Sequence, residues 1–166
     1  MATMRARIAA HLGTRQVSRV IYGAIIGLAL VVVLEHHPPS AGSAVASLLA
    51  TALAVGLAEL YSEIVGTETR THRRVAAEQV HEILDDVLAV GFGVAFPAVF
   101  FVLAAVGVMK VDTAFTIAKW TGLGLIGFYG FCAARLAGAR LAGALLQGVA
   151  VAAIGAAVIA LKALVH

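Results

Sequence analysis

Acidic side chains and histidines are concentrated in one stretch of the chain, residues 58–86. Seven of the nine acidic residues and two of the six histidines lie there. Glu59 and Glu63 are four residues apart, which places both carboxylates on one face of a helix. An ionisable residue inside a membrane span is costly and indicates function. The alternative is a span that ends near Glu59 and leaves both side chains in the headgroup region.

A second group of candidate ligands follows in the same stretch. Four residues have the spacing i, i+3, i+4 and i+7 that places them on one helix face: Glu78, His81, Glu82 and Asp85. Carboxylate and imidazole groups suit divalent cations such as Fe²⁺ and Mn²⁺. The alternative is a solvated amphipathic face, in which Arg74 pairs with Glu78.

Two other places carry charge close to apolar sequence. Glu35, His36 and His37 form either a loose cation-attracting group or a solvated turn. Lys119 lies about two turns inside an apolar run, where lysine usually extends towards the membrane surface. No nucleophile–base pair, HExxH motif or glycine-rich phosphate loop is present, so we do not expect an enzyme.

The composition indicates a membrane protein. The chain has 166 residues, of which 61% are hydrophobic and 13% charged, and its mean hydropathy is +0.99. A soluble domain is about 25% charged. The arginines stand in short groups beside apolar runs, a pattern that indicates membrane topology rather than nucleic-acid binding. The expected environment is therefore a lipid bilayer, with no nucleic-acid partner.

We predict an all-α polytopic membrane protein in which residues 1–166 form a single transmembrane domain. Apolar runs of sufficient length predict five transmembrane helices. They are expected near residues 17–34, 44–65, 87–109, 114–134 and 141–165, with residues 66–86 as a cytoplasmic amphipathic helical connection.

Local signals refine these boundaries. Ser40 or Ser43 can cap the second helix. Thr67, Thr69 and Thr71 predict that a helix starts within the connection.

Glycine and proline predict breaks and close contacts. The third span should be interrupted by Gly91, Gly93 and Pro97, since proline removes a helical hydrogen bond. Four glycines in the fourth span should let another helix approach closely: Gly122, Gly124, Gly127 and Gly130. Two pairs of small residues four apart, Ala139–Gly143 and Ala144–Gly148, predict close packing of the last helix.

The basic residues predict the orientation. Nine arginines lie in the amino-terminal flank, the connection and the turn after the fourth span, against three lysines on the other side. The positive-inside rule then places the amino end in the cytoplasm and the carboxyl end outside. We expect a multi-pass protein of a cell inner membrane.

Two stretches resemble the vacuolar iron transporter family. The segment Gly56–Glu63 (GLAELYSE) is similar to that family's second span, and the glycine-rich helix after Arg140 is similar to its last. The predicted layout of five spans with an acidic segment after the second is also typical of the family. The chain differs from it in having no acidic residue in Val20–Leu34 and no methionine in Ala44–Val65.

The resemblance implies a homodimer, joined here through helices rich in glycine and alanine, that exchanges protons for ferrous or manganous ions. It implies that Glu59 stands at the mouth of the path, with collecting ligands at Glu63, Glu68, Glu78 and Glu82. We therefore predict a divalent metal transporter whose only metal is the transported ion, with His81 and Asp85 as further ligands. The alternative is a non-transporting accessory or scaffold protein of the membrane.

Overall fold

The computed structural model describes residues 14–165, without the side chains of Thr14, Arg15, Glu78, Val158 and residues 162–165. All regular structure in this part of the chain is helical, as predicted. The helices are α1 (Thr14–His36), α2 (Ala41–Thr71), α3 (Ala77–Ala95), α4 (Ala98–Ala105), α5 (Val111–Leu136) and α6 (Leu141–Val165).

Several helices are long and apolar enough to cross a membrane. Helices α1, α2, α5 and α6 each meet that criterion alone, and α3 and α4 meet it together as a pair bent by 49°. The described residues therefore contain four such helices, or up to five when the bent pair counts as one span. The 31 residues of α2 extend about 46 Å, which exceeds the roughly 30 Å apolar thickness of a bilayer.

The first helix is the centre of the bundle. It packs mainly against α3 on one side and α5 on the other, and it also contacts α6 and α2. Helix α2 covers α3 and α4, and α6 covers α5. Ala24, Leu28 and Val31 of α1 are almost completely buried, so the core lies along this helix.

Helices α1 and α3 meet backbone to backbone. A Cβ atom added at Gly23 would lie 2.1 Å from the carbonyl oxygen of Val90, and one added at Gly27 would lie 2.7 Å from that of Val94. On the other side of the contact, a Cβ at Gly93 would lie 2.5 Å from the carbonyl oxygen of Val20. Only glycine permits this approach.

Glycine also brings α5 and α6 together. A Cβ at Gly148 would lie 2.8 Å from the carbonyl oxygen of Gly127, and one at Gly130 would lie 3.0 Å from the side chain of Val151. The predicted close approach is thus confirmed at Gly127, Gly130 and Gly148. At Gly124 it is wrong, because nothing lies within 4 Å of that position.

The predicted interruption of the third span occurs at its proline. Helix α3 continues through Gly91 and Gly93, and the break falls between Ala95 and Ala98. Pro97 has no N–H to continue the hydrogen-bond ladder, so the chain bends there. Beyond the bend, Phe101 packs edge-on against Phe115 with ring centroids 4.7 Å apart.

The polar connection is arranged differently from the prediction. Thr69 and Thr71 do not start a helix but lie in the last turn of α2, where their hydroxyls donate to the carbonyls of Val65 and Thr67. Residues 72–76 make the turn, and α3 then begins at Ala77 and runs on into the third span. At the other end of α2, Ser40 is the N-cap, as predicted, and accepts a hydrogen bond from the Ser43 backbone N–H.

Candidate functional site

An arginine near the start of α1 binds two glutamates of α2. The Arg19 guanidinium forms an ion pair with Glu59 through Nη1. Its Nη2 lies 3.4 Å from Glu63 Oε2 and donates a hydrogen bond to it. The side chains of Glu59 and Glu63 are only 16% and 18% exposed, so both are largely shielded by protein.

A third carboxylate reaches the same arginine from α3. Arg19 Nε lies 3.8 Å from Asp86 Oδ2, and the Asp86 side chain is 7% exposed. A buried charge is strongly unfavourable unless it is paired and hydrogen-bonded, so Arg19 contributes to making this burial tolerable. We call Arg19, Glu59, Glu63 and Asp86 the Arg19 cluster.

Helix periodicity explains why these side chains meet. Glu59 and Glu63 are one turn apart and project from the same face of α2. Asp86 is in phase with Ile83 and Val90, which are 5% and 0% exposed, so it lies on the buried stripe of α3. Close contact of α2 and α3 at Gly56, where an added Cβ would lie 3.3 Å from Val87, brings the two acidic faces together.

Arg70 is a weaker neighbour of the cluster. Its Nη2 lies 3.9 Å from Glu63 Oε1, and its side chain is 72% exposed. An ion pair of this length and exposure contributes little, because water screens it. The main cation of the cluster among the described contacts is therefore Arg19.

The other predicted ligands lie apart from the cluster. Glu68 accepts a hydrogen bond from the Val75 backbone N–H at 3.4 Å, across the turn between α2 and α3. His81, Glu82 and Asp85 are exposed on α3. Glu78 lies in α3, but its side chain is outside the described residues. Among the side chains that the structure describes, no three histidine, cysteine or acidic groups are arranged to hold a metal ion.

The opposite end of α1 carries a second ion pair. Lys119 Nζ of α5 donates to both carboxylate oxygens of Glu35, at 2.6 and 2.7 Å. The side chains are 26% and 35% exposed. His36 and His37 instead contact backbone carbonyls, those of Val32 and His36.

Sequence reasoning missed Arg19 and Asp86 as members of the site. The signal for Asp86 was present, because an acidic residue in phase with Ile83 and Val90 must enter the core. For Arg19 the signal was its phase with Gly23 and Gly27, four and eight residues on, which form the face of α1 that meets α3.

Comparison with known proteins assigns no family. No family model matches the chain, and no curated protein and no solved structure matches it either. The resemblance to the vacuolar iron transporters therefore stays a prediction from the sequence.

Proposed function

We propose that this chain is a multi-pass membrane protein that transports a divalent cation such as Fe²⁺ or Mn²⁺, with the Arg19 cluster as the ion-handling site. One observation carries the proposal: carboxylates from two helices converge on a single cationic group at one end of an apolar bundle. Carboxylate oxygen is a favoured ligand of such ions.

Glu59 has a position that suits the mouth of a path. It is the nineteenth residue of α2, which begins at Ala41, so it lies about 27 Å along that helix. This distance approaches the roughly 30 Å thickness of the apolar layer. The Glu59 side chain keeps 16% of its surface exposed, which we propose is where an ion from the nearby surface would meet it.

Arg19 is the resident cation of the cluster. The three carboxylates surround its guanidinium without forming a metal-holding group of their own. A divalent ion must therefore displace Arg19 before Glu59 and Glu63 can close on it.

The proposed orientation follows from the arginines. Arg19, Arg70 and Arg135 lie at the start of α1 and the ends of α2 and α5, which a bundle of alternating spans brings to one face. We propose that this face is cytoplasmic, in a cell inner membrane. Exposed His81, Glu82 and Asp85 would collect ions there, and a second copy of the chain would complete the coordination shell.

A second candidate function is a non-transporting accessory or scaffold protein. The observation that favours it is the same ion pairing: Arg19 neutralises carboxylates whose role would then be to join α1, α2 and α3. His81, Glu82 and Asp85 would form a surface for a partner protein.

Uptake of Mn²⁺ and Fe²⁺ into proteoliposomes under a pH gradient separates the two functions. We expect uptake by the wild type and its loss in Glu59→Gln, with proton counterflow. Asp112→Asn is the matched control, because Asp112 is an exposed carboxylate on α5. Absence of uptake by folded wild-type protein under gradients of both signs would leave the scaffold function.

A further inference from the structure

The central helix is held at both ends by ion pairs with different partners. Near its start, Arg19 binds α2 and α3 through the Arg19 cluster. Near its end, Glu35 binds Lys119 of α5. Arg19 and Glu35 are 16 positions apart, about 24 Å along α1, so the two attachments lie near opposite ends of the bundle.

Between these attachments, the closest contact of α1 with α3 is made by glycine backbone. Gly23 and Gly27 of α1 lie directly against the backbone of α3, and Gly93 of α3 lies against that of α1. Small residues let two helix backbones approach closely, so this contact fixes the point at which α1 and α3 cross. The ion pairs hold the two ends of α1 on either side of this crossing, so they contribute to setting its tilt.

We infer that α1 is a lever, pivoting on the glycine contact, which couples the Glu35–Lys119 pair at one end to the Arg19 cluster at the other. Breaking the ion pair at either end of α1 lowers the free energy needed to move the other end. The inference rests on the proposed function for the role of the cation, which would release Arg19. The coupling itself is a property of the chain without any ion.

The single cysteine, Cys132, can be used as a probe of this movement, because its alkylation rate depends on its accessibility. Cys132 of α5 lines a crevice together with Val17 of α1 and Arg135, at the Arg19 end of the bundle. Lys119 is 13 residues away on α5, a distance of about 20 Å along the helix. A change at Lys119 or Glu35 therefore reaches the crevice only through a movement of the helices.

The experiment measures the rate at which N-ethylmaleimide alkylates Cys132 in lipid nanodiscs without divalent ions. We expect Lys119→Gln and Glu35→Gln each to raise the rate about two- to fivefold, the range set by the free energy of a partly exposed ion pair. Lys110→Gln is the matched control, since Lys110 is exposed at the start of the same helix, and it should leave the rate unchanged. The double variant with Glu35→Lys and Lys119→Glu restores the pair and should return the rate to the wild-type value.

Arg19→Gln releases the near end and should raise the rate on its own. If it does so while Lys119→Gln and Glu35→Gln leave the rate unchanged, the two ends are not coupled and the inference is wrong. An unchanged rate in all three variants also overturns it, because the freed end of α1 then does not move. Circular dichroism of each variant separates movement from unfolding.

Addition of Mn²⁺ to the wild type tests the proposed function separately. A cation that displaces Arg19 should raise the alkylation rate, as Arg19→Gln does. An alkylation rate that rises in Lys119→Gln but does not change on addition of Mn²⁺ or Fe²⁺ would support the coupling of the two ends of α1. The same result would count against cation binding at the Arg19 cluster.

Discussion

Gly93 lies so close to Val20 that a methyl group on its Cα would be 2.5 Å from the Val20 carbonyl oxygen. Backbone atoms on both sides form this contact, so neither can yield as a flexible side chain would. The fold thus depends on the absence of a side chain at the crossing of α1 and α3.

Replacement of Gly93 by alanine should therefore separate these helices. We expect Gly93→Ala to lower the free energy of unfolding by about 1–3 kcal/mol, the usual cost of overpacking. Gly91→Ala is the matched control two residues away, because nothing lies within 4 Å of Gly91. That control should be neutral or stabilising by up to about 1 kcal/mol, since alanine favours helix.

Thermal unfolding in detergent micelles measures both variants. Equal stability of Gly93→Ala and Gly91→Ala would contradict the close crossing of α1 and α3. A similar loss is expected for Gly23→Ala, which meets the carbonyl of Val90.

The long apolar helices were predictable from the sequence because hydropathy and length depend only on the order of the residues. Helix α6 begins at Leu141, as predicted, since the preceding turn carries Gly138 and Arg140 at the edge of the apolar run. The end of α2 was not predictable in the same way. The hydroxyls of its threonines donate hydrogen bonds to backbone carbonyls one turn back. A segment whose composition is typical of a helix start therefore continues the helix instead.

The ion pairs depend on which helices become neighbours, and hydropathy does not specify that. Glu59 and Glu63 were recognised as a pair because their spacing is local. Their partner Arg19 is 40 or more positions away in the sequence, and the packing of both α1 and α2 against α3 brings it near. For the same reason, the pairing of Glu35 with Lys119 could not be predicted from the sequence.

Asp85 and Asp86 are adjacent acidic residues with opposite surroundings, which makes them a matched pair. Asp86 is buried beside Arg19, whereas Asp85 is exposed. We expect Asp86→Asn to lower the free energy of unfolding by about 1–3 kcal/mol, because it removes one charge of a buried ion pair. Asp85→Asn should stay within about 0.5 kcal/mol of the wild type, as surface changes usually do.

Thermal melts of the two variants at equal pH and salt decide this prediction. A larger loss for Asp85→Asn than for Asp86→Asn would show that the buried stripe of α3 is not the one described.

Removal of Arg19 should convert the cluster into a stronger cation site. Arg19→Gln removes the guanidinium that Glu59, Glu63 and Asp86 share, so these carboxylates lose a favourable charge interaction and the fold is destabilised. A divalent ion that takes its place stabilises the folded state by mass action, about 2.7 kcal/mol when its concentration is 100 times Kd.

Thermal shift on addition of Mn²⁺ measures this effect. We expect a larger upward shift of Tm for Arg19→Gln than for the wild type. Arg135→Gln, a change at an exposed arginine outside the cluster, should behave as the wild type. A shift of equal size in all three proteins would assign Mn²⁺ binding to another part of the chain, such as the exposed face of α3.

The Glu35–Lys119 pair should show direct energetic coupling. Both oxygens of Glu35 accept from the same Nζ at 2.6 and 2.7 Å, and both side chains are about two thirds or more shielded. A double-mutant cycle with Glu35→Gln and Lys119→Gln should give a coupling free energy of about 0.5–1 kcal/mol, towards the upper range for exposed pairs because water is partly excluded. High salt should reduce this energy only weakly, since screening acts less on partly buried charges. A coupling near zero at low salt would mean that the pair does not hold α1 to α5, and the lever would then lose its attachment at that end.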